Sequence, residues 1–422
     1  MAHGKSFHKP AELSHRQRAE VFDTTEKKVV KNYFDPNYNG TDWPSRARRE
    51  RDRIVAINDP DAFELAMHDL VRGLRTSHTG FFHQSVRRVP ARLAIGASFR
   101  RVEMAEGPVW VVQDVHEGGP AHVAGLKPLD VLREIDAKPV APPEQAMFPM
   151  GSNPRLTVRR DSNTVKLDLN IPPPRSTKQP YSEPKPVVAS VLKESVGYLK
   201  VVIFPGLLGL DVSRQIDSAV RELSGCDRLI LDLRGHLGGG LGVLRLMSYL
   251  TPRKIPIGYT VSRRKAEAGY RKQDLPTLGR LATDKPNWFA IASLAIKYAG
   301  RDPSVALVSE GLGSQKWHGR IAILVNEHTV SAGEMVSAFA QENNLARIVG
   351  TETAGRLIPG SGFKVGFGYM VIMPKAAYLT WQGQKFEGRG IVPNIVVSWS
   401  PEAYRAGNDN QLEAALDVVR AM

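Results

Sequence analysis

The first part of the chain has apolar residues at helical spacing. The stretches 19–34 (AEVFDTTEKKVVKNYF) and 63–74 (FELAMHDLVRGL) repeat apolar positions every three to four residues, which predicts amphipathic helices. The turn-rich segment 35–45 (DPNYNGTDWPS) separates them. We therefore expect an N-terminal helical segment over residues 11–85.

The pattern changes between residues 90 and 172. The runs 110–115 (WVVQDV) and 130–136 (DVLREID) are short and strand-like, and 121–126 (AHVAGL) predicts a brief helix that Pro120 opens and Gly125 closes. These features predict a small β domain over residues 90–172. A polar, proline-rich linker is expected to follow at residues 173–186.

From residue 187 onward, strand-like and helix-like segments alternate. Strand patterns of the buried type, as in 228–233 (RLILDL) and 321–326 (IAILVN), alternate with amphipathic stretches such as 211–223 (DVSRQIDSAVREL). Such alternation predicts an α/β core with a mixed sheet over residues 187–400, closed by a helix over 401–422. An insertion at 263–317, with one amphipathic piece at 287–300 (NWFAIASLAIKYAG), is expected to be a lid or a binding element.

Length and composition limit the class of protein. A chain of 422 residues is too long for one compact core, so several domains are expected. No apolar run reaches the length of a membrane span. The N-terminus lacks the apolar core of a secretory signal, and one cysteine excludes an internal disulfide. We expect a cytoplasmic protein, or a periplasmic one if an export signal has been removed.

The net charge of +14 raises the possibility of an anionic partner. The densest basic cluster, 45–53 (SRARRERDR), carries acidic residues between its arginines, which is typical of a solvated helix face rather than a nucleic-acid-binding stripe. His116 and His122 are separated by two glycines and a proline, so no helix presents them together as metal ligands. We expect no nucleic-acid partner, no metal and no cofactor.

The strongest chemical signal lies in two motifs of the α/β core. In 325–335 (VNEHTVSAGEM), Ser331 follows a strand and opens a helix, where backbone N–H groups favour negative charge. In 231–240 (LDLRGHLGGG), a strand ends in a glycine cluster that offers further N–H donors. A nucleophile beside such donors suits acyl transfer. The alternative is that Ser331 is an ordinary N-cap, with Glu334 completing a capping box.

Four ordered motifs resemble the C-terminal (tail-specific) processing serine peptidases and the tricorn core protease. Segment 118–140 (GGPAHVAGLKPLDVLREIDAKPV) resembles a PDZ signature, and 231–240 resembles the family's DLRxNxGG with His236 where asparagine is usual. Segment 325–339 resembles the stretch with the nucleophilic serine, and 386–395 (FEGRGIVPNI) resembles a motif near the C-terminal end. The resemblance implies a PDZ domain and a crotonase-like or ClpP-like core.

The family uses two kinds of base. The tail-specific branch has a lysine where this chain has Arg356, which stays protonated and cannot accept a proton. Lys364 is a poor substitute. In the tricorn-like branch a Ser–His pair and a glutamate act together, and Ser77, His78 and Glu387 match these residues. The resemblance therefore implies His78 as the base of Ser331, with Ser77 and Glu387 orienting it. His328 is expected to line the cleft.

The resemblance also implies where the substrate and the oxyanion are bound. The oxyanion hole would use the backbone N–H groups of Gly238, Gly239 and Ala332. A PDZ domain would hold the end of a peptide at the loop Ile95, Gly96, Ala97 and Ser98. That loop matches the family only loosely, so the segment could instead gate the site and bind nothing.

The expected function is a serine endopeptidase that cleaves unstructured peptides or protein tails. The alternative is an inactive peptide- or small-ligand-binding protein with the same fold, an alternative kept open by His236 and the missing lysine. The oligomeric state is not predicted. The cations at the start of the insertion allow two readings, a solvated loop or an anchor for acidic peptides: Arg263, Arg264, Lys265, Arg271 and Lys272.

Overall fold

The structure is a computed structural model that describes residues 11–84, 88–173, 185–206, 210–279, 302–312 and 317–422. Within these ranges, no helix is both long and apolar enough to cross a membrane. The helix expected at 287–300 and most of the expected linker 173–186 lie outside the described residues.

Local sequence signals begin the helices. Ser14 and Gln17 form a capping box before α1, with the Gln17 N–H donating to Ser14 Oγ at 3.3 Å, and Asp59 caps α3 by accepting from the Ala62 N–H at 2.9 Å. The described α-helices are α1 (His15–Asn32), α2 (Trp43–Val55), α3 (Pro60–Arg72), α4 (Ala91–Ala94), α5 (Pro120–Val123), α6 (Leu210–Glu222), α7 (Val243–Tyr249), α8 (Arg263–Glu267), α9 (Ala332–Glu342), α10 (Pro401–Arg405) and α11 (Asn410–Ala421).

The strands, like the helices, occur in both halves of the chain. The first half of the chain contains β1 (Gly80–His83), β2 (Arg88–Pro90), β3 (Ala97–Met104), β4 (Gly107–Val115), β5 (Val131–Ile135), β6 (Lys138–Pro139), β7 (Met147–Pro149), β8 (Arg155–Arg160), β9 (Asn163–Asp168), β10 (Val187–Val191) and β11 (Val196–Val201). The second half contains β12 (Arg228–Asp232), β13 (Pro256–Ser262), β14 (Thr277–Leu278), β15 (Ala306–Val308), β16 (Ile321–Val325), β17 (Arg347–Gly350), β18 (Gly360–Gly366), β19 (Tyr369–Pro374), β20 (Ala376–Thr380) and β21 (Ile395–Val396).

Residues 187–396 contain a mixed sheet with the order β10-β11-β12-β16-β17-β21. Strand β10 pairs antiparallel with β11, and the other pairs are parallel. All five residues of β16 are buried, as expected for a central strand of a sheet that is covered on both faces. This confirms the α/β core with a mixed sheet that the alternating pattern predicts.

Alternate residues of this sheet face two different apolar layers. Ile321 and Ile323 of β16 pack in the cluster that contains residues of α6, α7 and α9, whereas Leu324 packs in the cluster with Ala415 of α11. This two-residue period places helices on both faces of the sheet. The carboxyl end of β16 leads into α9. In α/β folds, ligands bind outside the carboxyl ends of the strands, so a site can form there.

The N-terminal helices pack on a separate three-stranded sheet, β1-β19-β18. Helices α1–α3 share one apolar core with this sheet, in which Trp43, Phe63, Phe81 and Tyr369 are buried. Strand β1 pairs antiparallel with β19, so the segment just before β1 is fixed against the second half of the chain. The N-terminal region is thus helical but also contributes a strand.

Residues 88–171 form an antiparallel sheet with the order β3-β4-β5-β8-β9, and β6 pairs with β5 beside it. This region has its own apolar core, with Val112, Leu132, Phe148 and Leu156 nearly inaccessible to solvent. Strand β3 lies at the edge of the sheet as far as the described residues define it. The small sheet β2-β7 packs at its side, where α4 contacts both strands.

Two expected elements differ in detail. The apolar run 363–374 forms the hairpin β18-β19 rather than one strand, because Phe367 and Gly368 both have positive φ (48° and 83°) and reverse the chain. The C-terminal segment expected as one helix contains α10 and α11. These are separated at Gly407, whose φ of 81° ends α10.

Candidate active site

A serine lies at the turn between the buried strand β16 and helix α9. Ser331 has φ 53° and ψ −111°, and a non-glycine residue in a sparsely populated region of this kind costs about 1–3 kcal/mol. N-cap residues usually adopt extended dihedrals, so helix capping alone does not account for this backbone. A half-buried serine on a strained strand-to-helix turn is instead typical of nucleophiles in α/β hydrolytic enzymes.

Glu334 fixes this turn from the interior. Its buried carboxylate accepts from the Ser331 N–H at 2.9 Å and from the N–H groups of Gly355 at 2.6 Å and Arg356 at 2.8 Å. The Thr353 hydroxyl donates to the same carboxylate at 2.7 Å. Burial raises the pKa of Glu334. One carboxylate therefore joins the main chain of the nucleophile to the segment 353–356.

Buried polar residues before Ser331 tie the nucleophile loop (326–331) to the glycine turn (235–240). Asn326 Oδ1 accepts from the Gly235 N–H at 3.0 Å, and the Thr329 hydroxyl donates to the Leu233 carbonyl at 2.8 Å. The sequence reading overlooked these two residues. The available signal was a run of short polar side chains directly after a buried strand, which commonly bonds to nearby backbone.

The glycine turn touches Ser331. Gly238 has φ 82°, and a Cβ there would lie 2.9 Å from Ser331 Cβ and 3.3 Å from its Oγ. Gly239 has φ 129°, and a Cβ there would lie only 2.0 Å from the Phe204 carbonyl oxygen. Side chains are excluded at both positions, so the backbone of the turn reaches the serine closely.

His236 changes the expected role of Gly238. The Gly238 N–H donates to His236 Nδ1 at 2.9 Å and is therefore engaged inside the protein. Burial lowers the pKa of His236 to about 3, so the ring is neutral and Nδ1 can accept. In the described residues the N–H groups of Gly239 and Ala332 have no partner, and Gly239 is exposed. These two N–H groups are available as donors, whereas the Gly238 N–H is engaged by His236 in this conformation.

Ser77, His78 and Glu387 form a hydrogen-bonded chain, which we name the base relay. Glu387 accepts from the Ser77 N–H at 2.5 Å and from the Ser77 hydroxyl at 3.0 Å, and Ser77 Oγ lies 2.9 Å from His78 Nδ1. A hydroxyl has one proton, and Ser77 donates it to Glu387. His78 Nδ1 must then donate to Ser77 Oγ, which leaves His78 Nε2 as the basic nitrogen.

His78 is neutral over most of the pH range. Desolvation and then the charge of Arg356 lower its pKa to about 4, although the residue keeps an exposed edge. It has φ 55°, and a Cβ on Gly360 would lie 2.9 Å from His78 Cβ, so β18 begins directly against it. No hydrogen bond joins His78 to Ser331 in the described part of the chain. Catalytic hydrogen bonds are often long without substrate and shorten when it binds.

The other basic groups considered from sequence lie in different settings. Arg356 takes part in the hydrogen-bond network only through its backbone N–H, which donates to Glu334. Its side chain is exposed. Lys364 is exposed on β18, four residues along an extended strand from Gly360 and hence about 13 Å further on. Burial lowers the pKa of His328 to about 4, and its carbonyl accepts a hydrogen bond from Arg92 Nη1.

The loop expected to hold a peptide end is closed in this structure. Ile95, Gly96, Ala97 and Ser98 are all buried. The Gly96 carbonyl accepts from the His116 N–H at 2.8 Å, and the Ile95 N–H donates to Ala91. The sequence reading gave no role to Arg92, which lies on α4 just before this loop and donates to the nucleophile loop.

Chemistry of this kind serves acyl transfer: a strained serine, N–H donors beside it, and a histidine whose tautomer is fixed. Together with the α/β fold it defines the class of serine peptidases. Residues 195–397 match the model of peptidase family S41. The likeness to that family lies in this segment, which makes up 203 of the 422 residues.

Relatives with known names agree with this assignment. The carboxyl-terminal-processing protease of Synechocystis sp. is 23% identical over 437 residues, which cover 97% of this chain and 88% of that protein. The solved structure of the photosystem II D1 C-terminal processing protease superposes with a TM-score of 0.57 at 17% identity, covering 90% of this chain and 93% of that one. Mature CPAF complexed with lactacystin gives a TM-score of 0.56 at 15% identity, covering 96% and 98%.

Proposed function

We propose that this serine peptidase is an endopeptidase of unstructured peptides or protein tails, with Ser331 as nucleophile and His78 as general base. The observation that carries the proposal is the positive-φ turn at Ser331 packed against Gly238. Such strain persists only where the surrounding structure imposes it, and it is concentrated at functional sites. The names of the relatives refer to C-terminal processing, which supports tails as one substrate class.

In the proposed mechanism, Ser331 Oγ attacks the carbonyl carbon of the scissile amide while its proton passes to His78 Nε2. The N–H groups of Gly239 and Ala332 donate to the oxyanion of the tetrahedral intermediate. The carbon–nitrogen bond then breaks as His78 returns the proton to the leaving amine. A water molecule attacks the acyl-enzyme with His78 again as base, which releases the new carboxylate and restores Ser331.

Ser77 and Glu387 support this cycle without touching the substrate. When His78 becomes an imidazolium, its Nδ1–H donates to Ser77 Oγ, and the Ser77 hydroxyl donates to the Glu387 carboxylate. Negative charge at the far end of the relay stabilises the positive charge formed on the ring. Glu387 also fixes the Ser77 main chain, so that a single residue orients the hydroxyl and backs the base.

We further propose that residues 88–171 are a PDZ domain and that the α/β core is of the crotonase or ClpP type. Edge strand β3, the loop Ile95–Ser98 and the short helix α5 support the first assignment, because peptides bind PDZ domains by adding a strand at such an edge. The loop Ile95–Ser98 is buried, which supports the alternative that this domain gates the active site and binds no peptide end.

Replacement of the nucleophile tests the central proposal. Ser331→Ala should abolish labelling by a fluorophosphonate probe and cleavage of casein, while circular dichroism and thermal unfolding stay close to those of the wild type. Cleavage of casein by the variant at the wild-type rate would exclude Ser331 as nucleophile. A wild-type protein that takes up no probe and cuts no peptide would favour the inactive binding protein.

A further inference from the structure

Arg356 is a cation beside the candidate active site, and no acidic side chain in the described structure pairs with its guanidinium. Its backbone N–H donates to the Glu334 carboxylate that also accepts from the Ser331 N–H, so its main chain is held close to the nucleophile. Its side chain is exposed and makes no hydrogen bond or ion pair within the described residues. A fixed backbone with a free guanidinium is suited to binding something from outside the protein.

Four of the five cations at the start of the insertion, for which an anchor for acidic peptides was one of two readings, have partners within the protein. Arg263 Nε lies 2.8 Å from Glu267 Oε1, Arg264 Nε lies 3.3 Å from Asp302 Oδ2, and Arg271 Nε lies 2.7 Å from Asp274 Oδ2. Lys272 donates to the Trp381 carbonyl and lies over its ring. These pairs favour the reading of that segment as a solvated loop.

The charge of Arg356 acts on the space around the base. After burial, it is the charge that lowers the pKa of His78, and it adds to the effect of burial in lowering the pKa of Arg92, which Asp114 opposes. The charged groups that face His78 in the described residues are Arg356 and, through Ser77, Glu387. A guanidinium presents several N–H donors in one plane and binds carboxylates in a bidentate way.

We propose that Arg356 selects the substrate: its guanidinium binds a carboxylate of the peptide, from an acidic side chain or from the C-terminus, close to the bond that is cut. The inference rests on the proposed roles of Ser331 and His78. It goes beyond them because it assigns a chemical class of substrate to a residue that takes the place of a lysine base in the tail-specific branch.

A bound carboxylate would also tune the base. Its negative charge offsets that of Arg356, so the repulsion that disfavours the His78 imidazolium weakens and the pKa of His78 rises toward its ordinary value. A stronger base accepts the Ser331 proton more readily. Acidic substrates should therefore differ from neutral ones in their rate of reaction as well as in their binding.

Three matched fluorogenic peptides test the proposal on the full-length chain. The first has an amide-blocked C-terminus and one Glu beside the cleaved bond, the second has Gln in its place, and the third is the Gln peptide with a free C-terminus. We expect the wild type to prefer a carboxylate-bearing peptide over the blocked Gln peptide by about tenfold in kcat/KM, as for one charge-assisted contact. The preferred peptide identifies the source of the carboxylate.

Variants then locate the preference. In Arg356→Gln the kcat/KM ratio should fall to about one, and Arg356→Lys should retain part of it because the charge remains but the planar donors are lost. Lys364→Gln removes an exposed cation elsewhere and should leave the ratio unchanged. In Arg356→Gln the acid limb of kcat/KM for the neutral peptide should move to higher pH, because the repulsion on His78 is gone.

The outcomes separate the two levels of the proposal. A ratio in Arg356→Gln equal to that of the wild type, or a wild type without preference for either carboxylate, overturns the assignment of Arg356. If Ser331→Ala or His78→Ala still cleaves these peptides at the wild-type rate, the proposed function itself is wrong. If both variants are inactive and only the ratio is unaffected by Arg356→Gln, the proposed function survives and this inference does not.

Discussion

The two halves of the candidate site are built in contrasting ways. The nucleophile loop is anchored by the buried residues Asn326 and Thr329, and it is fixed by several hydrogen bonds between segments no more than about a hundred residues apart, as between Asn326 and Gly235. The base relay is half exposed and depends on one carboxylate, Glu387, which lies 310 positions from Ser77. Ser331 is thus held by the core of the sheet, whereas His78 is fixed by contacts between distant parts of the chain.

This difference separates two kinds of constraint. On the nucleophile side the backbone itself is strained and fixed, and glycines at 238 and 239 are required by contacts with Ser331 and Phe204. On the base side the backbone of His78 also has a positive φ, but what the structure chiefly sets there is the protonation state of a ring. Changes on the first side should alter geometry, and changes on the second should alter acid–base behaviour.

The largest effect on the base side is expected from His78→Ala. Loss of the general base should lower kcat/KM by about a thousandfold or more, with little change in thermal stability because the side chain is exposed. Lys364→Ala is the matched control and should change the rate little, since the lysine lies further along β18. If Lys364→Ala lost more activity than His78→Ala in a peptide-cleavage assay, Lys364 and not His78 would be the general base.

A smaller effect is expected from the far end of the relay. Glu387→Gln keeps the shape but removes the negative charge that stabilises the His78 imidazolium, so kcat should fall roughly tenfold to a hundredfold with KM nearly unchanged. Ser77→Ala should fall by a similar factor, because it breaks the same chain of hydrogen bonds. The double variant should lose no more than the worse single one. Additive losses measured in steady-state kinetics would show that the two residues act separately.

The smallest expected effect concerns pH and stability. Burial lowers the pKa of His236 to about 3 and that of His328 to about 4, against about 6.5 in an unfolded chain. Below pH 6.5 the unfolded chain binds protons that the fold refuses, so stability is lost as the pH falls toward 4. The thermal midpoint should fall by about 5 °C or more between pH 7 and pH 5.

Single variants connect this pH effect to the contrast between the two sides. His236→Asn should flatten the pH dependence of the thermal midpoint more than His78→Asn, because His236 is fully buried and His78 keeps an exposed edge. Equal flattening by both variants would mean that His78 in the base relay is as inaccessible to solvent as His236 in the glycine turn.

Some of this site could be read from the sequence because its causes are local. A buried strand followed by a polar run and an amphipathic helix predicts β16, the turn at Ser331 and α9, all within about twenty residues. The glycine cluster after β12 likewise signals close backbone approach. The pairing of Ser77 with Glu387 came only from resemblance to a family, because no local pattern encodes a contact over such a separation.

Other features depend on side-chain positions that a pattern does not contain. The engagement of the Gly238 N–H by His236 follows from the orientation of one buried ring. The largely apolar stretch 363–374 predicts one strand, but the positive φ of Phe367 and Gly368 reverses the chain and forms the hairpin β18-β19. The lack of a partner for the Arg356 guanidinium among the described residues depends on the folded positions of the acidic side chains, which no local pattern gives.

The separation between Ser77 and Glu387 also has a consequence for how the protein is made. During synthesis His78 leaves the ribosome long before Ser331, and Glu387 follows later still. On the proposed roles, a growing chain that already contains its nucleophile still lacks the carboxylate that fixes the histidine tautomer. On these roles the chain would remain a weak peptidase until Glu387 has been synthesised and has reached Ser77.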